Sequence, residues 1–233
     1  MYYYYDSSII FLIPAIIFTM YAQAKVKGNF NRYSKVRNMR NMTGAEAARR
    51  VLDANGLYDI TIQPVGGSLS DHYDPSKKVV RLSQTVYNVN SIAAVSVACH
   101  EVGHAIQHAE GYMPLNLRSA IVPVVNFASK LSWPLIFIGI LLLGNGSYLG
   151  DTLFTVGVIL FVAVILFHAV TLPVEFNASS RALKQMDSLG IVTEEERSGA
   201  KKVLNAAAMT YVAALATAIA NLIRIIAIRN NRD

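Results

Sequence analysis

Ser91-Ile-Ala-Ala-Val-Ser-Val-Ala-Cys-His-Glu-Val-Gly-His-Ala-Ile-Gln-His108 carries two histidines four positions apart, His100 and His104, with Glu101 directly after the first. Residues four apart on an α-helix lie one turn apart on the same face, so the spacing offers two imidazole nitrogens to one ion. Glu101 projects from the adjacent edge of that face. A carboxylate there accepts a proton from a water that a zinc ion has acidified, which is the task of a general base in hydrolysis. Five positions alone recur by chance in unrelated helices, and the competing reading is a pair of ordinary core or surface histidines. The surroundings favour the metal site: Ser91 or Asn90 is suited to cap a helix, its body is rich in Ala and Val, and no Pro interrupts the run before Pro114.

Outward from this stretch, the chain reads as a membrane protein with a modest soluble part. Of 233 residues, 53% are hydrophobic and only 15% charged, with a mean hydropathy of +0.36, against about 25% charged in an ordinary soluble domain. The apolar residues are grouped. Residues 7–24, 131–150, 152–174 and 203–223 contain no Asp, Glu, Lys or Arg, and each window approaches or exceeds the length that crosses a bilayer. The expected spans are about 7–24, 119–144 and 153–172, with a fourth at 203–223 left open between full crossing and a buried or partly inserted helix.

The charge pattern orients them. No basic residue precedes the first span, but Tyr2 to Tyr5 do, so a retained span with tyrosines at the outer interface is expected in place of a cleaved signal peptide. Lys25, Lys27, Arg32, Lys35, Arg37 and Arg40 follow it, and the positive-inside rule assigns them to the cytoplasm. This cluster suits anionic lipid, and no nucleic-acid partner is expected. Lys130 in the second span must snorkel or face protein, Pro173 marks the end of the third span or a kink in it, and Arg224, Arg229 and Arg232 argue against full crossing by the fourth. The lone cysteine, Cys99, excludes an intrachain disulfide and is expected to be packing.

Residues 25–118 form the expected soluble subdomain. Thr43-Gly-Ala-Glu46 is a capping box opening a helix over 45–54, which Asn55-Gly56 terminates. Residues 57–65 and 77–82 read as strands separated by the turn-rich Gly66-Gly-Ser-Leu-Ser-Asp-His-Tyr-Asp-Pro75. An exposed edge strand beside the histidine helix would dock a peptide by backbone pairing.

Two histidines leave a zinc site one protein ligand short. Glu175, in Leu172-Pro-Val-Glu-Phe-Asn-Ala-Ser-Ser-Arg-Ala182, follows the third span on the expected cytoplasmic side; the competing reading pairs it with Arg181 or solvent. His108 is rotated about 80° from His100 and displaced about 12 Å along the helix, too far to share its ion. His168 lies within a span and reads as a buried hydrogen-bonding residue. His72 and Tyr73 are candidates to stabilise the oxyanion formed on an attacked carbonyl; a turn histidine bonded to Asp71 or Asp74 is the rival reading of His72.

The chain resembles bacterial membrane zinc metallopeptidases of neutral zinc metallopeptidase family 2, the YugP-like proteins. The resemblance rests on the initial span and basic stretch, Leu69-Ser-Asp-His-Tyr-Asp-Pro75, Val79-Val-Arg-Leu-Ser83, the His-Glu-Val-Gly-His helix, and Leu172-Pro-Val-Glu-Phe-Asn-Ala-Ser179. Such proteins are similar to minimal gluzincins, which implies one Zn2+ held by His100, His104 and Glu175, with Glu101 polarising water. Other gluzincin-type membrane proteases place an aspartate four residues after the glutamate ligand. Here that position is Ser179, so a carboxylate supporting a motif histidine is absent or comes from elsewhere, such as Asp187. The expected protein is mainly α, with multi-span membrane helices and a small α+β gluzincin-like catalytic subdomain at the cytoplasmic face, residues 1–233 forming one membrane-embedded unit. The expected activity is hydrolysis of peptide bonds in peptides or membrane proteins at a bacterial cell membrane, with endopeptidase favoured over exopeptidase. A non-cleaving zinc-containing scaffold and a metal-dependent lipid or amide hydrolase are the alternatives.

Overall fold

A computed structural model describes residues 7–143 and 147–230. The expectations for Tyr2 to Tyr5 and for Arg232 fall outside the described residues. After a short 3-10 turn at Ser7–Phe11, six α-helices and three strands follow in the order α1 (Ile13–Tyr33), α2 (Gly44–Ala54), β1 (Thr61–Val65), β2 (His72–Asp74), β3 (Val79–Ser83), α3 (Ile92–Ala109), α4 (Met113–Leu143), α5 (Tyr148–Ser188) and α6 (Glu194–Asn230). Among the described residues, four helical segments are long and apolar enough to cross a membrane: Ser8–Tyr33, Met113–Leu143, Tyr148–Ser188 and Glu194–Asn230. The chain divides into two compact units, one of Met1–Tyr21, Leu117–Leu172 and Tyr211–Asp233, the other of Ala22–Asn116 and Pro173–Thr210.

In the first unit, close helix contact depends on glycine. A Cβ added at Gly139 would lie 2.6 Å from the Phe154 nitrogen, and one at Gly157 2.8 Å from the Ile136 nitrogen. The backbones of α4 and α5 therefore approach each other as small residues allow in lipid, where packing replaces the hydrophobic drive. Ile136, Phe154, Phe161 and Ile225 form the buried apolar centre. Thr19 and Thr217 share a hydroxyl hydrogen bond of 3.0 Å between α1 and α6. Arg229 at the end of α6 donates to Asp151 of α5 at 2.6 Å, and its guanidinium lies 5.2 Å from the Phe154 ring centre. Lys130 is exposed.

The second unit is built from local signals that the sequence displays. The capping box forms: the Thr43 hydroxyl accepts from Glu46 N at 3.2 Å, and Glu46 Oε2 accepts from Thr43 N at 2.8 Å. A second one opens α6, where Glu196 Oε2 accepts from Thr193 N at 2.9 Å. Ser91 caps α3 by accepting from Ala94 N at 3.1 Å. Leu52, Val80, Leu82, Val95, Val102, Met186 and Ile191 belong to one buried core joining α2, the sheet, α3, α5 and α6.

The sheet has three strands in the order β1-β3-β2, with β1 parallel and β2 antiparallel to β3. The segment expected to be only a turn thus contains β2. Three mixed residues are too short for an alternating pattern to register. Flanking carboxylates secure the strand instead: Asp71 accepts from Ser83 N at 2.7 Å, and Asp74 Oδ1 accepts from Ser76 N and Lys77 N at 3.1 and 3.2 Å, closing the turn into β3. Pro173, expected to mark the end of the third span or a kink in it, lies inside α5, which continues to Ser188. Proline removes one helical hydrogen bond, and the burial of its neighbours Val174 and Glu175, 0% and 2% exposed, keeps the helix going.

Helices α3 and α5 meet at Gly103, where an added Cβ would lie 2.6 Å from the Ala178 carbonyl oxygen. Gly103→Ala should destabilise the protein by about 1–3 kcal/mol through forced separation of the helices. Gly28→Ala in α1, where the new methyl meets nothing within 4 Å, should stabilise by up to about 1 kcal/mol through helix propensity. Thermal unfolding of the detergent-solubilised variants measures both, and a Gly103→Ala midpoint equal to that of the unsubstituted protein contradicts the close-approach argument.

Candidate metal centre

The 100–104 spacing places both imidazoles on one face of α3, where the rings meet nearly edge to face, 4.8 Å apart and inclined at 82°. Glu175 reaches them from α5. Its Oε2 lies 3.4 Å from His100 Nε2 and 3.6 Å from His104 Nε2, and the three ligand atoms all fall within 4.8 Å of one another. The Glu175 carboxylate is almost wholly buried, and the two rings keep only a narrow exposed edge, 14% and 12%.

The donor set fits zinc. Ligands about 2.0–2.1 Å from a tetrahedral ion stand about 3.3 Å from one another, close to the two imidazole–carboxylate separations. Two nitrogens and one oxygen leave a fourth position open, as in hydrolytic zinc sites and unlike closed structural ones. Glu101, adjacent to the first histidine, is 9% exposed, and its carboxylate makes no hydrogen bond with the other described residues.

The outer nitrogens of both rings are held. Ser179 Oγ lies 3.2 Å from His100 Nδ1, and Gln107 Oε1 lies 3.0 Å from His104 Nδ1. Gln107 Nε2 in turn donates to the Val174 carbonyl at 2.8 Å and to Asn177 Oδ1 at 2.9 Å. Glu175 and Ser179 are one turn apart on α5, so the helix that brings the carboxylate also brings the hydroxyl. Asp187 supports neither histidine: it accepts from Arg197 Nε at 2.6 Å. Arg181, the rival partner for Glu175, pairs with Glu110 at 2.7 Å and donates to Asn177 Oδ1, also at 2.7 Å.

Electrostatics follow from this packing. Without a metal ion, burial opposes charge on His104, but the neighbouring carboxylates of Glu175 and Glu101 outweigh it, so the imidazole pKa stands above its usual value. Burial pushes the Cys99 thiol up to about 12, which leaves it a packing group in the core.

His72 and Tyr73 are separated by the pleat of β2. Tyr73 joins the face that packs on the core, and its hydroxyl lies 3.1 Å from His108 Nδ1, one turn past His104. Burial first, then the charges of Asp59 and Asp74, hold the phenol above its usual pKa, so it remains a donor across the neutral range. His72 turns to the other face, where Nδ1 meets the Ser70 carbonyl at 2.8 Å and Nε2 meets Arg81 at 3.3 Å. The rival pairing of His72 with Asp71 or Asp74 does not form: those carboxylates hold Ser83 and Arg81. His108 and His168 stand outside the His-His-Glu cluster. Gln107 was legible only as an amide in an apolar run. Its role depends on contacts 67 and 70 residues away.

Comparison with known proteins agrees with this geometry. The family described as "Putative neutral zinc metallopeptidase" matches residues 8–230. The chain is 53% identical over 222 residues to "Putative membrane protease YugP" of Bacillus subtilis (strain 168), covering 95% of this chain and 96% of that protein. No solved structure matches it. The match runs through all four apolar helices and through the His-His-Glu cluster alike, and the chain belongs to the neutral zinc metallopeptidase family as a multi-pass membrane protein.

Proposed function

We propose that this chain is a membrane zinc endopeptidase in which His100, His104 and Glu175 hold a single Zn2+ ion and Glu101 is the general base. The observation that carries the reading is the convergence of two imidazole Nε2 atoms on one buried carboxylate oxygen, at 3.4 and 3.6 Å, beside a carboxylate left free for water. When bound, zinc supplies Lewis acidity, bringing the pKa of a water in the open position to about 7 and polarising a carbonyl there. Glu101 would accept the proton of a water attacking the peptide carbonyl and would return it to the departing amine. Tyr73, held by His108, donates its hydroxyl to the oxyanion that develops. His72 is the weaker candidate for that task, because its ring is turned to the opposite face of β2.

Strand β2 is an edge of the sheet and packs beside α3. A substrate segment paired along it would run extended past the histidine helix, which favours peptide over lipid and internal cleavage over trimming of ends. The basic residues from Lys25 to Arg40 support a cytoplasmic face for the catalytic subdomain of a bacterial cell membrane protein. The Arg229–Asp151 pair supports full crossing by α6: it neutralises an arginine at the far end of the helix by the first turn of α5. On this reading residues 1–233 act as one membrane-embedded unit, and substrates are membrane proteins or peptides released beside the bilayer.

Detergent-purified protein loaded with zinc and offered an unbiased peptide library should cleave it. Glu101→Gln should lower turnover by about 10²- to 10⁴-fold with its zinc content unchanged. Equal cleavage by the two proteins removes Glu101 from the mechanism, and no cleavage by either at full zinc occupancy favours the scaffold or a non-peptide substrate. Tyr73→Phe should cost about 10²- to 10³-fold in kcat with little change in KM, whereas His72→Ala should leave kcat within about threefold, as for a residue outside the transition state. The reverse ranking would transfer the oxyanion role to His72. Chelation, or Glu175→Ala, should remove both the metal and the activity, read by elemental analysis beside the assay.

A further inference from the structure

We infer that Gln107 is a positioning residue that selects the His104 tautomer and clamps the backbone next to Glu175 through the same amide. The inference rests on the ligand assignment proposed above and deepens it. Gln107 is fully buried and sits three residues after His104 in an otherwise apolar turn. A primary amide has two N–H donors and a carbonyl acceptor, and every one of these groups is used here.

The direction of the amide follows from its partners. The Val174 carbonyl can only accept, so the atom 2.8 Å from it is the amide nitrogen, and the second N–H reaches Asn177 Oδ1 at 2.9 Å. Asn177 Oδ1 also accepts from Arg181 Nε at 2.7 Å, so that atom is an acceptor too. The remaining atom, Oε1, therefore faces His104 Nδ1 at 3.0 Å. An amide oxygen cannot donate, so Nδ1 carries the hydrogen and the lone pair stands on Nε2, the nitrogen that faces Glu175.

The two histidines differ in this respect. His100 Nδ1 meets the Ser179 hydroxyl, a rotor that donates or accepts as required. His104 meets an acceptor whose orientation is locked by two contacts to α5. Val174 immediately precedes Glu175, so the side chain that orients one ligand also holds the main chain beside another. Loss of the amide would free the ring to turn and release that stretch of α5 together.

Two variants separate orientation from packing. Gln107→Leu keeps the bulk and removes all hydrogen bonding; Gln107→Glu keeps an acceptor for His104 but loses both donors to α5. Zinc dissociation constants from chelator competition, the visible spectrum of the cobalt-substituted protein and the unfolding midpoint of the metal-free protein are compared with the unsubstituted chain. Gln107→Leu should bind zinc about 10- to 100-fold more weakly with an altered cobalt spectrum. Gln107→Glu should recover most of that affinity, although both variants share a lowered metal-free midpoint. Wild-type zinc affinity in Gln107→Leu overturns the inference, as does equal weakening in both variants with an unchanged cobalt spectrum, the signature of packing alone. Should Gln107→Leu fail to fold, Gln107→Glu decides: affinity as low as that of Glu175→Ala overturns the inference. If the unsubstituted chain binds no stoichiometric zinc, or Glu175→Ala keeps it, the ligand assignment itself fails and takes this inference with it.

Discussion

The contact of Gly103 with the Ala178 carbonyl is the constraint on which the metal centre depends. Ordinary helix pairs stand about 8–10 Å apart at their axes, with side chains filling the space between. A carboxylate that must reach two imidazoles on the facing helix needs α3 and α5 close together. The missing Cβ at Gly103, between Glu101 and His104 in sequence, permits that approach. The helical repeat then does the rest: His100, His104 and Gln107 line one side, Val174, Glu175 and Ser179 the other, and each pairing across the gap falls within hydrogen-bond or ligand range.

A buried carboxylate beside two imidazoles is costly unless charge is balanced. Glu175 has two imidazole rings within 3.6 Å, and the three side chains form a group that could hold a metal ion. Around this group the supporting side chains are neutral, Ser179 for His100 and Gln107 for His104. Arg181 pairs with Glu110, and Arg197 with Asp187. The negative charge within the His-His-Glu cluster is thereby confined to Glu175.

Small residues serve the apolar unit in the same way. Gly139 and Gly157 let α4 and α5 approach backbone to backbone, and Thr19 with Thr217 adds a hydroxyl bond between α1 and α6. The Arg229–Asp151 pair sits at helix ends, where charges are tolerated. Helix α5 carries both an apolar stretch long enough to span and, after Pro173, the residue that completes the metal cluster.

What the sequence alone determined is what nearest neighbours encode. The His100–His104 repeat, the Ser91 cap, the Thr43–Glu46 capping box and the uncharged runs of bilayer length depend on residues within a few positions of one another, or on composition, and each was legible before any fold. Glu175 could be selected as the third donor, but only by following the order of spans. The tertiary structure decided what long separations control: β2 as a strand secured by Asp71 and Asp74, Tyr73 rather than His72 on the face toward α3, Arg181 paired with Glu110, and Ser179 and Gln107 behind the two histidines. Gln107 reaches partners 67 and 70 residues away and Ser179 one 79 residues away. Hydrogen bonds of that reach exist only once packing has brought α3 and α5 together, because no local periodicity says which buried polar atoms will meet.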